Sequence, residues 1–142
     1  QFYRQLSFYS CTVSNFEQYT LAAFINQGYF EKHINRMRLF YSRQRKKLIE
    51  AIEHSSLKEK CRIIENDSGL HFLLHLQTEL SDQCLSEQLK QQGIKMLPLS
   101  EYFLTAENSR EHYFIINYSC VDLEKIPAAC ERIHQLLSEK NA

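Results

Sequence analysis

Glycine and proline are scarce, three and two residues among 142, and tryptophan is absent. So little of either chain breaker excludes collagen-like repeats, linker-rich chains and disorder. Charge of one sign is also lacking: seventeen basic residues face seventeen acidic ones. No whole-chain field therefore draws the protein to nucleic acid or to an anionic membrane, and any charge argument has to be local. The five cysteines, Cys11, Cys61, Cys84, Cys120 and Cys130, are odd in number and never closer than ten residues. That spacing offers neither a CxxC zinc motif nor a small-scaffold disulfide framework, and a reducing cytoplasm is the simpler expectation. No apolar run approaches the roughly 20 residues that span a bilayer, and no basic-then-apolar signal opens the chain, so no membrane role is expected. A first residue of Gln rather than Met suggests a piece of something longer. No internal repeat or low-complexity segment is found.

What the chain does have is 44% hydrophobic and 12% aromatic residues, enough for one core in one domain. Ser14-Asn15-Phe16-Glu17 is a capping box, which starts a helix near Asn15. This helix is expected to run to Gly28, where a left-handed residue can close it. A longer helix follows from about Tyr29 to Glu53, with Phe30, Ile34, Met37, Tyr41, Leu48 and Ile52 along one stripe. His54 to Lys60 reads as a polar break. Cys61–Glu65 and Leu70–Leu76 then read as two strands joined by a turn at Asn66–Gly69. In the second strand Leu70, Phe72, Leu74 and Leu76 share the face expected to meet the core, and His71, Leu73 and His75 share the other.

Ser81 caps a helix carrying Leu85 and Leu89, and Gly93 closes it before a short strand Ile94–Leu97 that Pro98 ends. Leu99 to Glu111 has no clear period and is expected to form a surface excursion with Tyr102 and Phe103 tucked inward. Tyr113–Tyr118 reads as a buried strand. Asp122 caps a final helix in which Leu123, Ile126, Cys130, Ile133 and Leu137 form the inward stripe, with Pro127 tolerated in its first turns. The expected class is α+β: a mostly antiparallel sheet with helices packed on one face.

Local chemistry is sparse. His71 and His75 share a strand face but stand about 13 Å apart, at about 3.3 Å per residue, too far to share one metal ion. Neither has an adjacent cysteine or serine suggesting a nucleophile and base. Cys120 and Cys130 are expected to pack as small apolar groups. Arg36, Arg38, Arg43, Arg45, Lys46 and Lys47 form a basic run on the long helix. A phosphate-backbone contact is one reading; a solvated outer face is favoured, because acids elsewhere in the chain balance the run.

The stretch from Phe8 through Ser10-Cys11-Thr12 to Gln18, continuing as Gly28-Tyr29-Phe30-Glu31-Lys32-His33-Ile34-Asn35-Arg36-Met37-Arg38, resembles the MocR/GabR-type bacterial transcription regulators. Gly69-Leu70-His71, Gly93-Ile94-Lys95, Pro98-Leu99-Ser100 with Tyr102, and Asn117-Tyr118-Ser119 agree with it. In that GntR-related family a winged helix-turn-helix domain is joined to a fold-type I aminotransferase-like domain that uses pyridoxal 5′-phosphate. The resemblance places residues 1–142 in the small C-terminal subdomain of that fold, including a leading helix 15–28 and a long helix 29–53. This part lies downstream of the cofactor lysine, so the chain is expected not to be an enzyme by itself. Ser56-Leu57-Lys58, a Ser-x-Lys triplet, lacks the small residues and arginine that follow the family's lysine.

The resemblance further implies a cytoplasmic homodimer that senses a small-molecule effector, such as an amino acid or amine, and signals to DNA through the winged-helix domain. It makes Ser10 and Thr12 candidates for the partner's cofactor phosphate, with an ordinary helix-leading turn as the alternative. In aminotransferases an arginine near the last strand grips the substrate carboxylate. Here His112–Ile116 holds none, and Arg110, slightly early, is the candidate. No metal site is expected. The rival readings are a subdomain of a genuine aminotransferase and, more remotely, a free-standing nucleic-acid module using the basic helix.

Overall fold

A computed structural model describes residues 13–64, 69–104 and 110–139. They fall into two compact units, Gln1–Phe40 and Tyr41–Ala142, whose boundary lies inside one helix.

The first unit holds helix α1, Asn15–Asn26, and the start of helix α2, Tyr29–Glu53. The capping box forms as the sequence requires: the Glu17 amide donates to Ser14 Oγ at 3.3 Å, and the Ser14 amide donates back to the Glu17 carboxylate at 3.2 Å. Gly28 turns the chain between the helices at φ +73°, a region costly for residues with a Cβ. Around this turn Phe24 stacks on Tyr29 with centroids 6.2 Å apart, meets the edge of Phe30 at 6.3 Å, and Lys32 lies 5.6 Å from the Tyr29 ring centre. No α1 residue is buried, and Phe16 and Tyr19 stay 79% and 77% exposed.

The second unit is the α+β body. After α2 come a 3-10 turn at Ser56–Lys60, strands β1 (Cys61–Ile64) and β2 (His71–Leu76), and helix α3 (Asp82–Gln91). Strand β3 (Leu97–Pro98), a 3-10 turn at Leu99–Tyr102, strand β4 (Tyr113–Asn117), another at Leu123–Lys125 and helix α4 (Ile126–Glu139) complete it. The sheet order is β1-β2-β4-β3 and every pairing is antiparallel, with Ile63 opposite Leu74 and Leu74 opposite Phe114. Phe72, Leu74, Leu76 and Phe114 form one nearly water-free face and join a single core with Leu48 and Ile52 of α2, Leu85 and Leu89 of α3, and Cys130, Ile133, Leu136 and Leu137 of α4. Helices therefore cover that face. Each such side chain taken fully out of water contributes about 1.5–3 kcal/mol, which makes the alternation along β2 the main determinant of its register. Lys60 fastens the far end of α4, its ammonium donating to the Leu137 carbonyl at 3.2 Å and to Ser138 Oγ at 3.0 Å.

Several expectations need correcting. The polar break is a 3-10 turn capped by Ser55, and it buries Leu57 to 1% exposure. Gly93 at φ +80° does close α3, but the Ile94 amide still bonds back to the Leu89 carbonyl at 2.9 Å. The third strand is consequently Leu97–Pro98 rather than Ile94–Leu97, and Pro98 sits within it, tolerated on an edge. Tyr102 and Phe103 are not tucked in: they are 64% and 38% exposed, because the turn is anchored through Ser100 and Pro98 instead. Leu70 precedes β2 and is 38% exposed. Cys130 is buried, whereas Cys120 is exposed on a turn in which Asn117 Oδ1 accepts the Ser119 amide at 2.9 Å. Asp122 caps the Leu123–Lys125 turn, and α4 starts at Ile126. The Asn66–Ser68 turn residues lie outside the described residues.

Candidate functional site

Ser81 caps α3 by accepting the Cys84 amide at 3.4 Å, and this makes Asp82 the first helical residue. Its carboxylate then points from the helix start toward the sheet and is 8% exposed. A buried carboxylate is costly without donors, and the positive end of the helix supplies only part of the compensation. The rest comes from two distant segments. The Ser100 hydroxyl donates to Oδ2, and the His112 backbone amide donates to Oδ1 at 2.8 Å. The His112 imidazole also faces Asp82, with Nδ1 3.6 Å from Oδ1.

His112 is an unusual residue. Its φ of +65° is in the left-handed region, and its carbonyl accepts the Leu76 amide at 2.9 Å. A strained conformation of this sort persists only where its surroundings fix it, here Asp82 on one side and the end of β2 on the other. Its ring lies 6.5 Å from that of His75, which packs against Tyr113 at 4.7 Å. Asp82, Ser100, His112 and His75 thus gather where α3, the Leu99–Tyr102 turn and the start of β4 meet. The cleft beside them, about 490 Å³, is rimmed by Glu87, Glu101 and Glu111, a lining that disfavours anions.

Arg110, read from sequence as the carboxylate candidate, is exposed two residues ahead of His112. Ser10 and Thr12, read as the phosphate candidates, lie outside the described residues. His71 and His75 do not converge, and no metal-binding group of His, Cys, Asp or Glu occurs among the described residues. Sequence reading missed Asp82 and its link to His112; the available signal was a second polar residue directly after the helix cap.

A second cavity of about 380 Å³ opens on the covered face of the sheet, lined by Leu48, Ile52, Leu74, Ile116, Cys130 and other mostly aliphatic side chains. Burial raises the Cys130 thiol above its ordinary range, so it is a poor nucleophile there. Pyridoxal phosphate, the cofactor of the resembled fold, needs an amine and an anion cradle. Of the two lysines on the 3-10 turn, Lys60, which is half-buried, is committed to the end of α4, and Lys58 is exposed.

No family model matches the chain. Curated proteins do. The chain is 42% identical over 94 residues to the HTH-type transcriptional regulator YdeL of Bacillus subtilis, covering 66% of this chain and 20% of YdeL. It is 33% identical over 122 residues to the regulator YhdI of the same organism, covering 86% and 25%. To the probable rhizopine catabolism regulatory protein MocR of Rhizobium meliloti it is 32% identical over 105 residues, covering 74% and 21%. The chain therefore spans about a fifth to a quarter of the length of these regulators. In fold it is similar to the kynurenine aminotransferase of Pyrococcus horikoshii, at a TM-score of 0.70 and 23% identity over 83% of this chain and 28% of that one. It also resembles the α-aminoadipate aminotransferase LysN of Thermus thermophilus, at 0.67 and 19% over 84% and 30%. Sequence and fold together identify the chain as an aminotransferase-like segment of the kind carried by HTH-type regulators such as MocR.

Proposed function

We propose that the chain is the small lobe of an effector-binding, dimerising domain in a regulator of the GntR/MocR type, inert as a catalyst by itself. In the longer protein, pyridoxal 5′-phosphate is held by polypeptide outside this segment, in a cytoplasmic homodimer. Ser10 and Thr12 reach toward the partner's cofactor phosphate. Arg110 meets the carboxylate of a small effector, an amino acid or related amine, through a two-pronged ion pair. Effector binding shifts the dimer between two arrangements and so changes the DNA affinity of a winged-helix domain.

The observation that carries this reading is the contrast in likeness. Regulators share 32–42% identity with the chain, whereas the enzymes that share its fold share 19–23%. A common scaffold hosts both activities, and the higher similarity to regulators supports that reading over a genuine aminotransferase. The exposed aromatic face of α1 supports a role as part of a larger body. Mixing the chain with pyridoxal phosphate tests the inert-lobe reading. No aldimine absorbance is expected, and a borohydride-trapped adduct on one specific lysine overturns it.

A further inference from the structure

We propose that Asp82 is a positioning residue for Arg110: one buried carboxylate holds the segment that presents the arginine, and loosening it disables the carboxylate contact without unfolding the sheet. This inference rests on the reading of Arg110 given above.

The geometry is that of a double clamp. Asp82 is anchored at the start of α3, among the core residues Leu85 and Leu89. One carboxylate oxygen takes the Ser100 hydroxyl, just before the exposed residues Glu101 to Leu104, and the other takes the His112 amide, just after Arg110 and Glu111. Two chain points twelve residues apart are thereby fixed to the same group. His112 cannot relax freely, since its left-handed φ of +65° leaves its amide on Asp82 and its carbonyl on Leu76. Arg110 lies two positions upstream of this restricted backbone. Arg110 itself is exposed. A charged group must be preorganised if a two-pronged contact with a carboxylate is to form without a large ordering cost. Asp82 supplies that order through the backbone, at the His112 amide two residues after Arg110.

The test compares the unaltered chain with Asp82→Ala, Asp82→Asn and Ser100→Ala, after melting curves show each variant folded. Hydrogen exchange should speed up at least tenfold at the His112 amide in Asp82→Ala, less in Ser100→Ala, and not at Leu74 or Phe114 in the core. Phenylglyoxal modification of Arg110, followed by mass spectrometry with and without glutarate as a carboxylate probe, supplies the second readout. Glutarate should slow modification at least threefold in the unaltered chain and have no effect in Asp82→Ala or Asp82→Asn. Unchanged His112 exchange in Asp82→Ala, or equal glutarate protection in all chains, overturns the positioning role. Fast exchange in Asp82→Ala with no glutarate protection even in the unaltered chain leaves the clamp standing and sinks the carboxylate reading of Arg110 instead.

Discussion

The Tyr118 hydroxyl donates to the Gly69 carbonyl at 2.6 Å, while the Tyr118 amide donates to the Leu70 carbonyl at 3.0 Å. The residue after β4 is thus tied twice to the residues that lead into β2. Its ring is 5% exposed and lies stacked 6.4 Å from Phe72, so the hydroxyl has no ready access to solvent if Gly69 is lost. Tyr118→Phe should cost about 1–2 kcal/mol, the worth of one part-buried hydrogen bond with its acceptor left behind. Urea unfolding gives the answer, and a midpoint unchanged within error would remove this tie from the list of stabilising contacts.

Leu57 provides a sharper contrast, since its neighbours in sequence are polar and it is 1% exposed. Leu57→Ala should lose about 2–5 kcal/mol through the cavity it leaves. Leu104, fully exposed, should tolerate alanine within about 0.5 kcal/mol. Equal effects at the two positions would mean that the 3-10 turn at Ser56–Lys60 is not part of the core.

Gly93 closes α3 at φ +80° with nothing near the place a Cβ would occupy. The cost of Gly93→Ala is therefore purely one of backbone conformation, about 1–2 kcal/mol. Gly93→Asn, which tolerates the left-handed region better, should recover part of it. Thermal melts of both variants check the order; alanine outperforming asparagine would contradict it.

The thiols should separate by reactivity. Burial, with a smaller contribution from the nearby Cys130, pushes Cys61 up to about 11, and burial also raises Cys130. Cys120 is exposed. At pH 8, iodoacetamide should label Cys120 well before Cys61 or Cys130, because the thiolate is the attacking form. The same shift has a stability consequence. The folded state holds the Cys61 proton more tightly than the unfolded chain does, so its contribution is full below the unfolded thiol pKa of about 8.5 and is lost as pH climbs toward about 11. Cys61→Ser should flatten stability across that alkaline window. A profile still falling as steeply in Cys61→Ser would assign the alkaline loss elsewhere.

Much of this architecture could be read from residue spacing. The capping box at Ser14, the alternation of Phe72, Leu74 and Leu76, and the stripe ending in Ile133 and Leu137 each encode a local period that tertiary packing merely uses. Leu57 was illegible because a single leucine among Ser, Lys and Glu carries no period, and only α4 lying opposite makes it core. Tyr102 and Phe103 misled for the converse reason: aromatic character does not say which of two neighbouring turns faces the sheet. Asp82 was hidden most deeply. Its partners at positions 100 and 112 lie 18 and 30 residues away, and no local pattern announces a contact of that range.

A single acid shared between two strangers in the sequence also constrains drift. Exchange of Asp82 for a neutral residue strands the Ser100 hydroxyl and the His112 amide at once, so substitutions at positions 82, 100 and 112 are not independent. Among descendants of this lobe, a lineage that abandons the aspartate must also rebuild the approach to β4, and the three sites should change hands as a set.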